Sequence, residues 1–108
     1  MEIINLTPHA LTFVGESSLV VKPSGQVARV ACRTVQVGSV SCGGIDIPLT
    51  ATEYGEVEGL PEPSENTIYI VSLLVAQRCR ERRDVFIPNE SVRDEQGRIV
   101  GCRSIGRV

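Results

Sequence analysis

Between Thr67 and Pro88 the chain reads TIYIVSLLVAQRCRERRDVFIP, and this run narrows the folds open to it more than any other. Thr67 to Val71 is β-branched and aromatic, the composition of a buried strand. Ser72 stands at a helix N-cap position. Leu73 to Arg82 carries helix-forming residues with an amphipathic character, so Leu73, Leu74, Val75, Ala76 and Cys79 are expected to face inward and the arginines outward. DVFIP reads as a second strand, stopped by Pro88. A strand, a short helix and a strand within about twenty residues form a compact crossover, with a helix barely long enough to allow parallel pairing.

The rest of the chain reads mainly as further strands. EIINL and ALTFVG are short β-rich runs, and SSLVV follows a polar turn. KPSGQ is a turn in which Pro23 presets one dihedral and Gly25 permits the next. From Gln26 the chain alternates, Val27, Arg29 and Ala31 opposing Ala28, Val30 and Cys32, which predicts a strand pair or one long bent strand. SCGGIDIPLT is a turn and a short strand that Pro48 confines to an edge or an end. ATEYGEVEGLPEPSENT holds five glutamates, two glycines and two prolines in seventeen residues, and is expected to be a long loop. VRDEQGRIVGCRSI gives a charged turn at Asp94 to Gly97, then a strand over Arg98 to Ile105. The expected fold is α+β: a single domain over residues 1–108, mostly β-sheet, with one short helix near residues 72–82.

With 108 residues and 42% apolar content, one core can form without a metal or disulfide staple. The longest apolar stretch, IYIVSLLVA, is too short to span a bilayer. Glu2 and Asn5 interrupt the N-terminal apolar run, which therefore does not read as a leader peptide. The chain is expected in the cytoplasm, away from membranes. Cys32, Cys42, Cys79 and Cys102 form no C-x-x-C pair and have one histidine to help them. Reduced, mostly buried thiols are expected rather than a metal centre, and no cofactor is implied. The net charge of -2 divides unevenly: residues 1–66 carry eight acids and three bases, residues 67–108 five acids and eight bases, all arginine. The acids between those arginines argue against nucleic acid as a partner.

Three stretches can carry chemistry. In NLTPHAL, Pro8 removes an amide donor and holds Thr7 extended, giving a rigid corner that presents Asn5, Thr7 and His9. Either His9 serves as a general base or ligand donor, or the corner's polar side chains satisfy backbone groups left unpaired by the bend. In RRDVFIPNESVRD, the dipeptides Arg83-Asp84 and Arg93-Asp94 flank a strand. They furnish either a recognition fork with a carboxylate beside it, or a structural network of ion pairs. In GCRS, Cys102 precedes Arg103, a setting that favours a thiolate, with His9 as its base if the two meet. No Walker loop, G-x-S-x-G, H-E-x-x-H or G-x-G-x-x-G motif occurs, and enzyme activity is left open. Asn5, Thr7, His9, Arg83, Asp84, Arg93 and Asp94 form the expected ligand-binding set.

INLTPHALTF, PSGQVARV, GLPEP, YIVSLLVAQ, RRDVFIP and VRDEQGRIVGCRSI together resemble a family of small bacteriophage and bacterial proteins. Its members open with an Asn-Leu-Thr-Pro-His segment and close with a Val-Arg-Asp…Gly-Cys-Arg segment. The resemblance covers most of the chain, least over residues 31–52. It carries no established activity and implies a phage or prophage setting in a bacterial cell. By analogy with that setting, the expected function is binding of an anionic small molecule, such as a nucleotide signal of bacterial defence, by the arginines and the His9 corner. Two other readings stay open. One is a protein-interaction or virion-accessory protein whose exposed strands and acidic loop contact another protein. The other is a small hydrolase or transferase centred on His9 with Asp84, Asp94 or Cys102. Exposed edge strands are compatible with a homo-oligomer.

Overall fold

In the computed structural model, which describes residues 1–108, the chain runs β1 (Glu2–Asn5), β2 (Leu11–Phe13), β3 (Leu19–Val21), β4 (Arg29–Cys42), β5 (Ile45–Glu58), β6 (Thr67–Ile70), α1 (Leu73–Gln77), β7 (Val85–Arg93) and β8 (Ile99–Gly106). The fold is α+β, mostly sheet with one short helix. Six strands form a mixed sheet in the order β1-β6-β7-β8-β2-β3, while β4 pairs only with β5.

The crossover is built as the sequence predicts: β6 and β7 run parallel, with Tyr69 opposite Val85 and Ile70 opposite Phe86. Its helix is shorter than expected, five residues from Leu73 to Gln77, and Ser72 holds the N-cap position without a side-chain capping bond. Tighter turns follow, in which the Arg78, Cys79 and Arg82 amides each donate to the carbonyl three residues before. Val75, Ala76 and Cys79 are buried, but Leu73 and Leu74 are exposed. A single helical turn has too narrow an inward face for five apolar residues. Nor does Pro88 end its strand, since β7 continues to Arg93 with Pro88 opposite Ile105. β6 accompanies β7 only as far as Phe86, and beyond it a free edge tolerates the missing amide donor.

A second correction concerns ATEYGEVEGLPEPSENT. Its first half belongs to β5, and only residues 59–66 are loop. β4 and β5 make a ribbon with two free edges, so Glu53, Glu56 and Glu58 stay exposed and hydrated within a strand. The alternation that begins near Gln26 proves to be one strand of fourteen residues, with register shifts between Val30 and Cys32 and between Gln36 and Gly38. It turns back on Gly43-Gly44, both at positive φ (59° and 79°), the type I′ geometry that matches strand twist. This ribbon, the arm, projects from the six-stranded body. The radius of gyration is 17.8 Å and the extents are 57 × 39 × 23 Å, against a radius of about 13 Å for a compact chain of this length.

The core gathers Leu6, Ala28, Val30, Tyr69, Val71, Val75, Ala76, Cys79 and Val85. Val30 and the partly buried Val57 root the arm in it, and the Arg78 guanidinium lies 5.1 Å over the Tyr54 ring. The body sheet nearly closes on itself, its edge strands β1 and β3 meeting at a bridge between Asn5 and Pro23. All four cysteines are free; Cys79 and Cys102 are buried, while Cys32 and Cys42 are exposed on the arm. No helix is long and apolar enough to cross a membrane.

Candidate functional site

The NLTPH corner sits where the body sheet nearly closes. Asn5, 1% exposed, bridges its two edges. Its side-chain nitrogen donates to the carbonyls of His9 (2.7 Å) and Val21 (3.1 Å). Its Oδ1 accepts from the Thr7 amide (2.9 Å) and the Thr7 hydroxyl (2.6 Å). An asparagine side chain has two donors and one oxygen with two lone pairs, so its capacity is filled and none is left for a ligand. The Thr7 hydroxyl also lies 3.0 Å from the His9 carbonyl, but its one proton serves one acceptor at a time. On the main chain, the Asn5 carbonyl accepts from Ser24 (3.0 Å) and the Leu6 amide donates to Ile70 (2.9 Å). Asn5 and Thr7 are thus a clasp on the seam of the sheet, the structural one of the two roles the sequence leaves open to the corner.

The His9 ring is exposed at the rim of a groove of about 320 Å³ that runs past Thr12, Pro88 and Ser91 to Cys102. At its floor Gly101 permits the close approach of β8 to β2: a Cβ there would stand 2.8 Å from the Thr12 carbonyl oxygen, so a side chain would push the strands apart. No arginine lines the groove. Cys102 is buried, with its sulfur 3.8 Å from the Thr12 carbonyl oxygen, and burial pushes its thiol above the ordinary range. The expectation of a thiolate favoured by Arg103 is therefore corrected: desolvation keeps the neutral form.

Asp84 is held by Arg82 rather than by Arg83. Arg82 Nε lies 2.8 Å from Oδ1 and Nη2 2.9 Å from Oδ2, and Nη2 also donates to the Pro61 carbonyl (2.9 Å). These hydrogen bonds hold the Asp84 carboxyl below its usual value against the opposing effect of burial. The fork ties the 59–66 loop to the start of β7, and the Tyr69 hydroxyl adds a bond to the Glu62 carbonyl (3.1 Å). Arg83 is exposed and offers its carbonyl to Arg107 (3.0 Å). Arg93 donates to the Gly97 carbonyl (2.7 Å) across the β7–β8 turn. Asp94 accepts from the amides of Arg98 (3.0 Å) and Gln96 (2.9 Å) and from Arg98 Nε (3.1 Å); the Arg98 amide foremost holds its carboxyl low. The structure therefore keeps Asn5, Thr7 and His9 together, places none of Arg83, Asp84, Arg93 or Asp94 in the His9 groove, and gives both aspartates structural partners. The arginines that do converge are Arg80, Arg82 and Arg107, around a concavity of about 30 Å³ beside Cys79.

The arm carries an uncovered apolar surface. Its register sets Val35 opposite Ala51, Gly38 opposite Leu49, Val40 opposite Ile47 and Cys42 opposite Ile45. Paired residues share a face, as do residues two apart, and the bulge at Val37 restores the phase, so these eight form one apolar ladder. Toward the root it ends at the exposed Arg33–Glu53 ion pair (2.6 Å). The opposite face carries Ser41/Asp46, Ser39/Pro48, Gln36/Thr50 and Thr34/Thr52, and at its root Cys32/Tyr54 and Val30. Val30 enters the core and Tyr54 lies under Arg78, so the body meets that polar face and the ladder points away. Nothing in the chain covers the ladder: Ile45 is 65% exposed, Ile47 51%, Leu49 47% and Val40 45%. Sequence reasoning misses this surface because Pro48 and the glycines break its apolar residues into short runs. The usable signal is CGGI, a two-residue glycine turn with period-two apolar residues on both sides.

Compared with protein-family models, with curated proteins and with solved structures, the chain finds no match.

Proposed function

We propose that this chain is a protein-interaction module, acting in the phage or prophage setting its sequence resemblance implies, in the cytoplasm of the bacterial host, with the arm as its docking surface. The observation that carries this reading is the uncovered ladder Val35/Ala51, Gly38/Leu49, Val40/Ile47 and Cys42/Ile45 on a ribbon that leads away from the body. Soluble monomers rarely leave a contiguous apolar patch in water, and a two-stranded ribbon is marginal by itself. A photoreactive amino acid replacing Ile47 is expected to crosslink the arm to a protein in the host cell, identified by mass. The same group at Thr52, on the opposite face, is expected to give no adduct. Equal yields from the two faces, or none from Ile47, overturn the reading.

A second reading, binding of an anionic small molecule, is supported by the exposed Arg80 and by Arg107 bordering one concavity, where Arg82 is already engaged by Asp84 and Pro61. Guanidinium groups match the geometry of phosphate and carboxylate oxygens. Titration calorimetry with inorganic phosphate and with a nucleoside monophosphate tests it. Binding heat that Arg80→Ala abolishes supports this reading, and no heat from either anion excludes it.

A further inference from the structure

Resting on the docking-arm reading, we infer that the ladder is covered by the same ladder of a second copy of this chain, laid face to face about a two-fold axis that runs along the arm.

The ladder is its own complement in shape. β5 supplies the larger side chains, Ile45, Ile47 and Leu49, and β4 the smaller ones opposite them, Cys42, Val40 and Gly38. A two-fold axis along the arm, midway between the stacked ribbons, carries β5 of one copy over β4 of the other. Each large side chain then stands over a small one: Leu49 over Gly38, Ile47 over Val40, Ile45 over Cys42. An axis across the arm would stack β5 on β5, large on large. Gly38 leaves open space on this face, since a Cβ there would meet only Leu49 Cδ1, at 3.9 Å.

Charge and access allow the same arrangement. No charged residue interrupts the ladder, and the pair at its root is already neutralised within one chain, so two copies bring no unpaired charge together. The body meets the opposite face and does not intervene. Edge pairing is the poorer alternative on the β5 side, where Pro48 lacks the amide donor an added strand would need. The ladder runs from Val35 to Cys42, a face about 26 Å long and about 10 Å wide. Two such faces remove about 500 Å² as flat surfaces, and protruding side chains raise this to the size of a weak, concentration-dependent contact rather than of an obligate dimer.

Sedimentation of the full chain at hundreds of micromolar is expected to approach twice the chain mass. Ile47→Asp should halve it, while Thr52→Asp, the same charge on the other face, leaves it unchanged; matching circular dichroism of both variants shows that neither has unfolded. Ribbons stacked about 10 Å apart bring the two Cys42 thiols within about 11 Å. A short bismaleimide should therefore link the native dimer, with the link lost in Cys42→Ser and kept in Cys32→Ser. A dimer without that link overturns the axis along the arm, because an axis across the arm sends the tips to opposite ends. A monomer, or a dimer that survives Ile47→Asp, overturns the inference altogether. If the cellular adduct at Ile47 is then a different protein, the docking-arm reading stands and this one falls.

Discussion

The body and the arm draw on the same residue types, β-branched and aliphatic side chains on strands, and put them to opposite uses. In the body, Leu6, Ile70, Val71 and Val75 are at most 1% exposed, and no buried side-chain polar atom lacks a partner. In the arm, only Val30 of the two fourteen-residue strands is buried. The difference lies in neighbours. β6 has a strand on either side and α1 following it, while β4 and β5 have only each other. Apolar area removed from water within the chain drives folding; the same area left in water is available to drive association.

That contrast can be broken most sharply at Leu6. Leu6→Ala is expected to destabilise the chain by about 3 kcal/mol in urea unfolding, through lost transfer energy and a cavity. Ile47→Ala, measured dilute enough to be monomeric, should change stability by less than about 0.5 kcal/mol. A larger loss at Ile47 would mean that the arm supports the fold and is no free surface. Next in size is the clasp. Asn5→Ala leaves the Val21 carbonyl and the His9 carbonyl without their side-chain donor and should cost about 2 kcal/mol, read by the same unfolding experiment. An unchanged midpoint would return Asn5 to the list of ligand-binding candidates.

A smaller effect is expected at Asp84, and it depends on pH. Its carboxyl titrates below its ordinary value when folded, chiefly through the Arg82 hydrogen bonds, so the unfolded chain takes up its proton first on acidification. The stabilisation is present above the ordinary aspartate range and fades as pH falls through the lowered folded value. Asp84→Asn should cost about 1 kcal/mol near neutrality and flatten the stability profile in acid; a profile with the wild-type slope would count against the fork. The least effect belongs to Arg33→Ala. Its ion pair with Glu53 is 76% and 54% exposed, and its loss should lower the melting temperature of the monomer by an amount equivalent to a few tenths of a kcal/mol.

The crossover was legible because its signals are local. A β-branched run, a short amphipathic stretch and a second β run follow one another directly, and parallel pairing of β6 with β7 is the outcome. The end points were less so. Pro88 reads as a stop, and whether it stops a strand depends on which edge its missing donor faces. The residues from Ala51 to Glu58 read as loop because acidic composition disfavours a buried strand, and this strand is not buried. Asn5, Thr7 and His9 stand together because Asx and proline turns are sequence-local, but the partners of Asn5 at Val21 and Ser24 come from the other edge of the sheet. For Arg83 the obvious neighbour Asp84 is taken by Arg82, a choice made by the position of Pro61 in three dimensions.

By itself the sequence determined the strand-rich class, the crossover, the rigid proline corner and the glycine turn that fixes the arm's register, all of them set by dihedral preferences and side-chain periodicity within a few residues. Only the tertiary structure decided which face of each strand meets the core, that the corner closes a sheet seam, and that one side of the ribbon has no cover in its own chain. Burial is a property of what lies across from a residue, and a linear string records who is beside it.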